Sequence, residues 1–205
     1  YGLARVAAKT NDYAKAQEYC DRAVKLFPAE PQVYINRAEV FIMLGQYKVA
    51  AQDIILAMSV GNDESKAISA LVNMSDEHYD DVMNALQNSI DNAPSVGTFY
   101  YLRYSIAMRQ LHYSQALRDL KQIISKNIYD DYTIYADAAR CQFEIGQFAP
   151  ALINIDKALA KNPSDIASLV LKARIIEHNG AGKNYDEALG VLARASRINA
   201  TAPSL

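Results

Sequence analysis

Two cysteines, three histidines and one dense run of carboxylates are the side chains from which this 205-residue sequence would have to build chemistry. His78, His112 and His178 lie far apart, and none pairs with another at the four-residue spacing that puts two zinc ligands on one helix face. His112 stands just before Tyr113 at a turn, where an exposed polar residue is ordinary. Cys20 and Cys141 have no second thiol and no paired histidine at metal spacing. Inside helical patterns such cysteines behave as small buried apolar residues. Asp76, Glu77, Asp80 and Asp81 open a helix, where the macrodipole favours negative charge. A glycine-rich phosphate loop, a Gly-x-Ser-x-Gly elbow and a paired-cysteine motif are all missing. Asn73-Met74-Ser75 and Asn199-Ala200-Thr201 match a glycosylation pattern too short to carry weight. The residues therefore predict no catalytic group, no metal and no cofactor, and the chain reads as a protein that is not an enzyme.

What the sequence does contain is a repeat. An aromatic residue followed three places later by Ala or Val recurs at Tyr13/Ala16, Tyr47/Ala50, Tyr79/Val82, Tyr113/Ala116, Phe148/Ala151 and Tyr185/Ala188. The aromatics are separated by 34, 32, 34, 35 and 37 residues. Seven places after each small residue comes Ala23, Ala57, Ser89, Ile123, Ala158 or Ala195. A second series, Ala4, Ala38, Ala70, Ala139 and Ala173, keeps the same register, with Tyr104 as its exception. Apolar residues between these marks stand three and four apart, which is helical spacing. Gly45, Gly146 and Asn11-Asp12 mark turns, while Pro28, Pro94 and Pro163 close units. Each unit reads as helix, tight turn, helix. Small residues at matched places let two helices approach closely, and the aromatics fill the wedge between neighbouring pairs. One such hairpin cannot bury both faces, so hairpins must stack.

On these motifs the sequence resembles the tetratricopeptide repeat (TPR) family across nearly all of residues 1–200, as a fragment of a bacterial protein of that kind. The resemblance implies an all-α fold, an α-α superhelix or solenoid of about six antiparallel helix pairs in a single array. The units run over about 1–30, 31–62, 63–96, 97–131, 132–165 and 166–200. The unit at 63–96 departs most, with Lys66 in place of a large apolar residue and Val82 and Ser89 in place of alanines. Together with the bulky Tyr104, this predicts irregular packing or a changed angle over Lys66–Tyr104. About three extra residues at Gly180–Lys183 predict a protruding turn.

In the family the first helix of each pair lines a concave groove that receives an extended peptide or a helix. Helical spacing then places Ile42, Met43, Leu71, Met74, Tyr101, Met108, Arg109, Arg140, Phe143 and Arg174 on or beside that surface. The apolar members could equally pack against each unit's own second helix, and the arginines could pair with Asp137, Glu144 or Glu177. Chaperone-binding members of the family clamp a terminal carboxylate with Lys, Asn, Asn, Lys and Arg spread over three first helices. Here Asn36 alone matches, and Tyr1, Arg5, Glu64 and Ile68 stand at the other places of the first triplet. The resemblance implies a non-catalytic scaffold for protein–protein interaction, and a groove apolar at its middle with Arg140 and Arg174 toward one end suits an amphipathic or extended ligand bearing some acidic residues. The alternatives are a self-assembly module, associating through a last face with no visible polar cap, and a regulatory or sensory arm of a larger enzyme-containing protein.

Bulk composition agrees. Hydrophobic residues make up 51% and charged residues 21%, enough for a packed core and a solvated surface. A net charge of −2 gives no basic patch for a nucleic-acid backbone, so no nucleic-acid partner is expected. No apolar run approaches the roughly eighteen residues of a membrane-spanning helix. The sequence opens at Tyr1 without an initiator Met, which leaves room for a removed export signal. The reading favours a bacterial periplasm or cell envelope, with the cytoplasm next.

Overall fold

The computed structural model describes residues 1–61, 65–179 and 184–201. Among the described residues there are twelve α-helices and no strand. The chain divides into two compact units, Tyr1–Leu102 and Arg103–Leu205. The first holds α1 (Gly2–Lys9), α2 (Tyr13–Leu26), α3 (Pro31–Met43), α4 (Tyr47–Val60), α5 (Ser65–Met74), α6 (Tyr79–Asn92) and the start of α7 (Gly97–Arg109). The second holds the rest of α7, α8 (Tyr113–Ser125), α9 (Tyr132–Glu144), α10 (Phe148–Lys161), α11 (Ile166–Asn179) and α12 (Tyr185–Thr201).

Local sequence sets the helix ends. Asp12 caps α2 by accepting from the Lys15 N–H at 3.3 Å, and Asp131 caps α9 by accepting from the Thr133 N–H at 2.9 Å. Pro31 enters α3 in its first turn, where a missing N–H costs nothing. Asp80 and Asp81 lie in the first turn of α6, as the macrodipole argument requires, whereas Asp76 and Glu77 fall in the turn before it. Asn11, Gly45, Leu111 and Gly146 share one place, two residues before the opening aromatic of a second helix, and all take positive φ, at 60°, 70°, 59° and 78°. That backbone ends one helix and reverses the chain into the next.

The repeat positions are where the packing is tightest. Ala16, Ala50 and Val82 in the first unit and Ala116 and Ala151 in the second are wholly buried. With no bulk at these places, α1 packs on α2, α3 on α4, α9 on α10 and α11 on α12. In the first unit Ala4, Ala7, Ala8, Ala16, Cys20 and Val40 form one core cluster. In the second, Ala139, Phe143, Ala151, Ile155, Ala158 and Leu169 form another. Of the wedge aromatics, Tyr47 stacks on His78 and Phe148 packs against Phe143 and His178. Tyr13 and Tyr185, by contrast, are more than half exposed, so two of the six lie largely outside the core.

The weakened third repeat has a physical counterpart. α5 is only ten residues long, and α6 packs chiefly along α4 rather than on α5. The bulky Tyr104 is buried all the same, and its hydroxyl donates to the Asp137 carboxyl. The side chain of Lys66 and the turn at Gly180–Lys183 lie outside the described residues.

Candidate binding surface

The first helices of the pairs are α1, α3 and α5 in the first unit and α9 and α11 in the second, with α7 divided between them. In the first unit Ile42 and Met43, at the end of α3, and Tyr101 on α7 are exposed, the latter two at 43%. Leu71 and Met74 are buried in the core, which corrects their placement on a ligand-facing surface. α5 is short, and the large side chains on its inner side go to closing the core.

In the second unit Arg140 and Arg174 are exposed, as is Arg109, while Met108 is half-buried and accepts from the Cys141 thiol at a sulfur–sulfur distance of 3.1 Å. Phe143 is buried in the core cluster, a second correction: its ring packs with Ala139, Ile155 and Leu169 rather than standing open. Burial pushes the Cys141 thiol up to about 12, so it stays protonated and inert. Of the apolar candidates Leu71, Met74 and Phe143 are therefore interior and Met108 is half-buried, so in the second unit the arginines are what the surface presents.

Arg140 and Arg174 meet in one place. An open cleft of about 420 Å³ lies between α9 and α11, lined by both arginines together with Asp137, Glu144, Ser168 and Leu171 among others. Neither arginine makes an ion pair among the described residues, so pairing with Asp137, Glu144 or Glu177 does not occur. Arg174 instead lies over the Phe143 ring, 4.6 Å from its centroid. The Asp137 carboxyl is held above its ordinary value by burial, against the Tyr104 hydrogen bond and the nearby Arg140 charge. Asp165 is engaged in accepting the Ser168 N–H at 2.8 Å.

The best-organised polar groups escaped the sequence. Arg103 on α7 gives Asp119 on α8 a bidentate pair, Nε to Oδ2 at 2.9 Å and Nη2 to Oδ1 at 2.6 Å. Arg37 on α3 does the same to Asp53 on α4, at 2.7 Å twice, and reaches Asp21 on α2 at 3.1 Å. Burial raises the Asp53 carboxyl against the Arg37 hydrogen bonds, while those bonds hold the guanidinium above its usual range. In the fifth repeat Asn154 takes the place of Asp53 and Asp119 and donates to Gln142 at 2.8 Å. The signal was present: both Arg–Asp pairs span 16 residues, ten before and six after an opening tyrosine.

A second cavity of about 380 Å³ lies between α4 and α6 and is lined by Gln52, Leu56, Asn88, Asn92 and Phe99 among others, with no charged side chain. Among the described residues no three His, Cys, Asp or Glu side chains are grouped to hold a metal ion. None of the described helices is long and apolar enough to cross a membrane.

Paired helices in register, small residues at the contacts and first helices presenting side chains to solvent define an all-α helical-repeat protein of the interaction-scaffold class. A family model described as tetratricopeptide repeat matches residues 1–58 and 101–166, more than half of the chain, and the chain belongs to that family. Such proteins are in general non-catalytic scaffolds. Among solved structures it is similar to the C-terminal part of a TPR repeat-containing protein from Cytophaga hutchinsonii, at 17% identity and a TM-score of 0.58, covering 96% of this chain and 78% of that one. It is similar to MamA from Desulfovibrio magneticus at 11% identity and a TM-score of 0.61, covering 85% and 97%. A third is YrrB, described as a TPR protein with an unusual peptide-binding site, at 15% identity and a TM-score of 0.59, covering 89% and 93%. At these identities the likeness is one of fold.

Proposed function

We propose that this chain is a non-catalytic scaffold that holds a peptide or helix of a partner protein against its first helices. The observation that carries the reading is the open cleft between α9 and α11, with Arg140 and Arg174 exposed and without ion-pair partners among the described residues. In the first unit, taken by itself, exposed Ile42, Met43 and Tyr101 give the first helices apolar contact area of their own. The described peptide-binding site of YrrB, on a similar fold, supports the same use of this one. The ligand is amphipathic or extended and bears acidic residues. Capture of partners from the host, followed by competition, tests this: Arg140→Glu with Arg174→Glu should abolish binding of an identified partner, and unchanged affinity would remove the reading. The compartment belongs to the same proposal, bacterial envelope before cytoplasm, and fractionation of the host decides it.

A second reading is self-assembly. Leu189 and Leu192 on α12 are exposed, at 60% and 40%, an apolar pair at helical spacing that suits a second copy.

A further inference from the structure

The α9–α11 cleft gathers two cationic side chains and one unsatisfied hydroxyl. Arg140 and Arg174 occupy equivalent places in successive repeats, 34 residues apart. Glu144 stands one turn beyond Arg140, yet that pair does not close. The cation–π contact with Phe143 draws the Arg174 guanidinium across toward α9, where Phe143 follows Arg140 by three residues. Two like charges lining one cleft with no acid bridging them repel each other, and an anion between them relieves the repulsion.

A second observation points the same way. Ser168 lines the cleft at 2% exposure, and its hydroxyl oxygen is buried with no hydrogen-bond partner. An unsatisfied buried hydroxyl is destabilising, and a ligand group reaching it would recover that cost. From Ser168 to Arg174 is six residues of helix, about 9 Å at 1.5 Å per residue. That span equals about three residues of extended chain. The acids of the cleft do not oppose an anion equally. Asp165 is engaged as a helix cap, Asp137 is tied to Tyr104, and Glu144 is exposed, placed to meet a basic group of the ligand.

We propose that this cleft binds an extended peptide through one carboxylate, held between Arg140 and Arg174, with a main-chain group about three residues away hydrogen-bonded to the Ser168 hydroxyl. The proposal rests on the reading of α9 and α11 as a ligand-facing surface. The carboxylate comes either from an acidic side chain or from a chain end.

The test uses the full chain and three sets of fluorescein-labelled hexapeptides of Ala, Val and Ser. One set is capped at both ends and carries a single Glu stepped through the six positions. The next carries Gln instead, and the last has neither but ends in a free carboxylate. Fluorescence anisotropy gives affinities, and backbone amide shifts locate binding. The best Glu peptide should bind about tenfold more tightly than its Gln partner. Arg140→Gln and Arg174→Gln should each remove that ratio, whereas Ser168→Ala should weaken Glu and Gln peptides by the same factor. Binding of the free-carboxylate set alone assigns the anion to a chain end. Equal Glu and Gln affinities without tighter binding of the free-carboxylate set, or a preference for the carboxylate that survives both arginine substitutions, overturns the proposal. If equal affinities come with shifts on α9 and α11, the surface reading stands without the carboxylate. Shifts confined to α4 and α6, or no binding by any set, also overturn it, and partner capture with the double arginine variant then decides the surface reading separately.

Discussion

Asp119 is 1% exposed and faces a guanidinium that gives it two short hydrogen bonds. Breaking such a pair by removing one partner costs about 3–5 kcal/mol, because the other charge stays where water cannot reach it. Asp119→Ala should therefore lower the urea midpoint strongly. Arg103→Met combined with Asp119→Leu should recover most of the loss, since a buried pair gains little over apolar packing. A double variant as unstable as the single one would contradict that account. Asp137 makes a pH-dependent case. Its carboxyl has a raised pKa in the folded chain, so between the ordinary carboxylate range and that raised value the folded state holds a proton that the unfolded state has lost. Its contribution thus favours folding in acid and declines as pH rises. Asp137→Asn is neutral throughout, so the stability difference, variant minus parent, should grow as pH is raised from about 4 to 7. Urea midpoints across that range check it, and a flat or falling difference would show that burial does not dominate at this carboxyl. Neither residue stood out in the sequence as a site. An aspartate inside a helix reads as surface until its partner, 16 residues away, is known to sit opposite.

At the scale of elements, the turn between paired helices carries the sharpest local demand. The left-handed backbone costs a residue with a Cβ about 1–2 kcal/mol, and glycine next to nothing. Gly45 and Gly146 meet the demand and Asn11 tolerates it, but Leu111 takes it at φ 59° with 62% of its surface exposed. Leu111→Gly loses little packing, although it adds freedom to the unfolded chain. The balance predicts a gain of about 0.5–1 kcal/mol, read as a higher urea midpoint. An unchanged or lower midpoint would show that the Leu111 side chain contributes contacts worth as much as the strain. The glycines announced this turn in the sequence. Leu111 did not, because nothing about a leucine marks positive φ, and only the shared register with Gly45 and Gly146 could have revealed it.

For the whole molecule, the question is whether copies join. The exposed Leu189 and Leu192 predict an apparent mass that rises with concentration in light scattering, and Leu189→Gln with Leu192→Gln should hold it constant. A parent chain whose mass does not change with concentration would remove the self-assembly reading. The sequence by itself determined the helical hairpins, their register and the family, because those depend on spacing along the chain: 3.6 residues per turn, small residues at contacts, and special residues at turns. It also marked the third repeat as the irregular one, from Val82 and Ser89 where alanines recur elsewhere. Only the tertiary structure decided which side of each first helix faces water. Leu71, Met74 and Phe143 went inside, while Arg140 and Arg174 came to one cleft beside an unsatisfied Ser168. The physical reason is that a helical period gives a residue's angle about its own axis but not the identity of the neighbour at that angle. Burial, ion pairing and the binding cleft all depend on that neighbour.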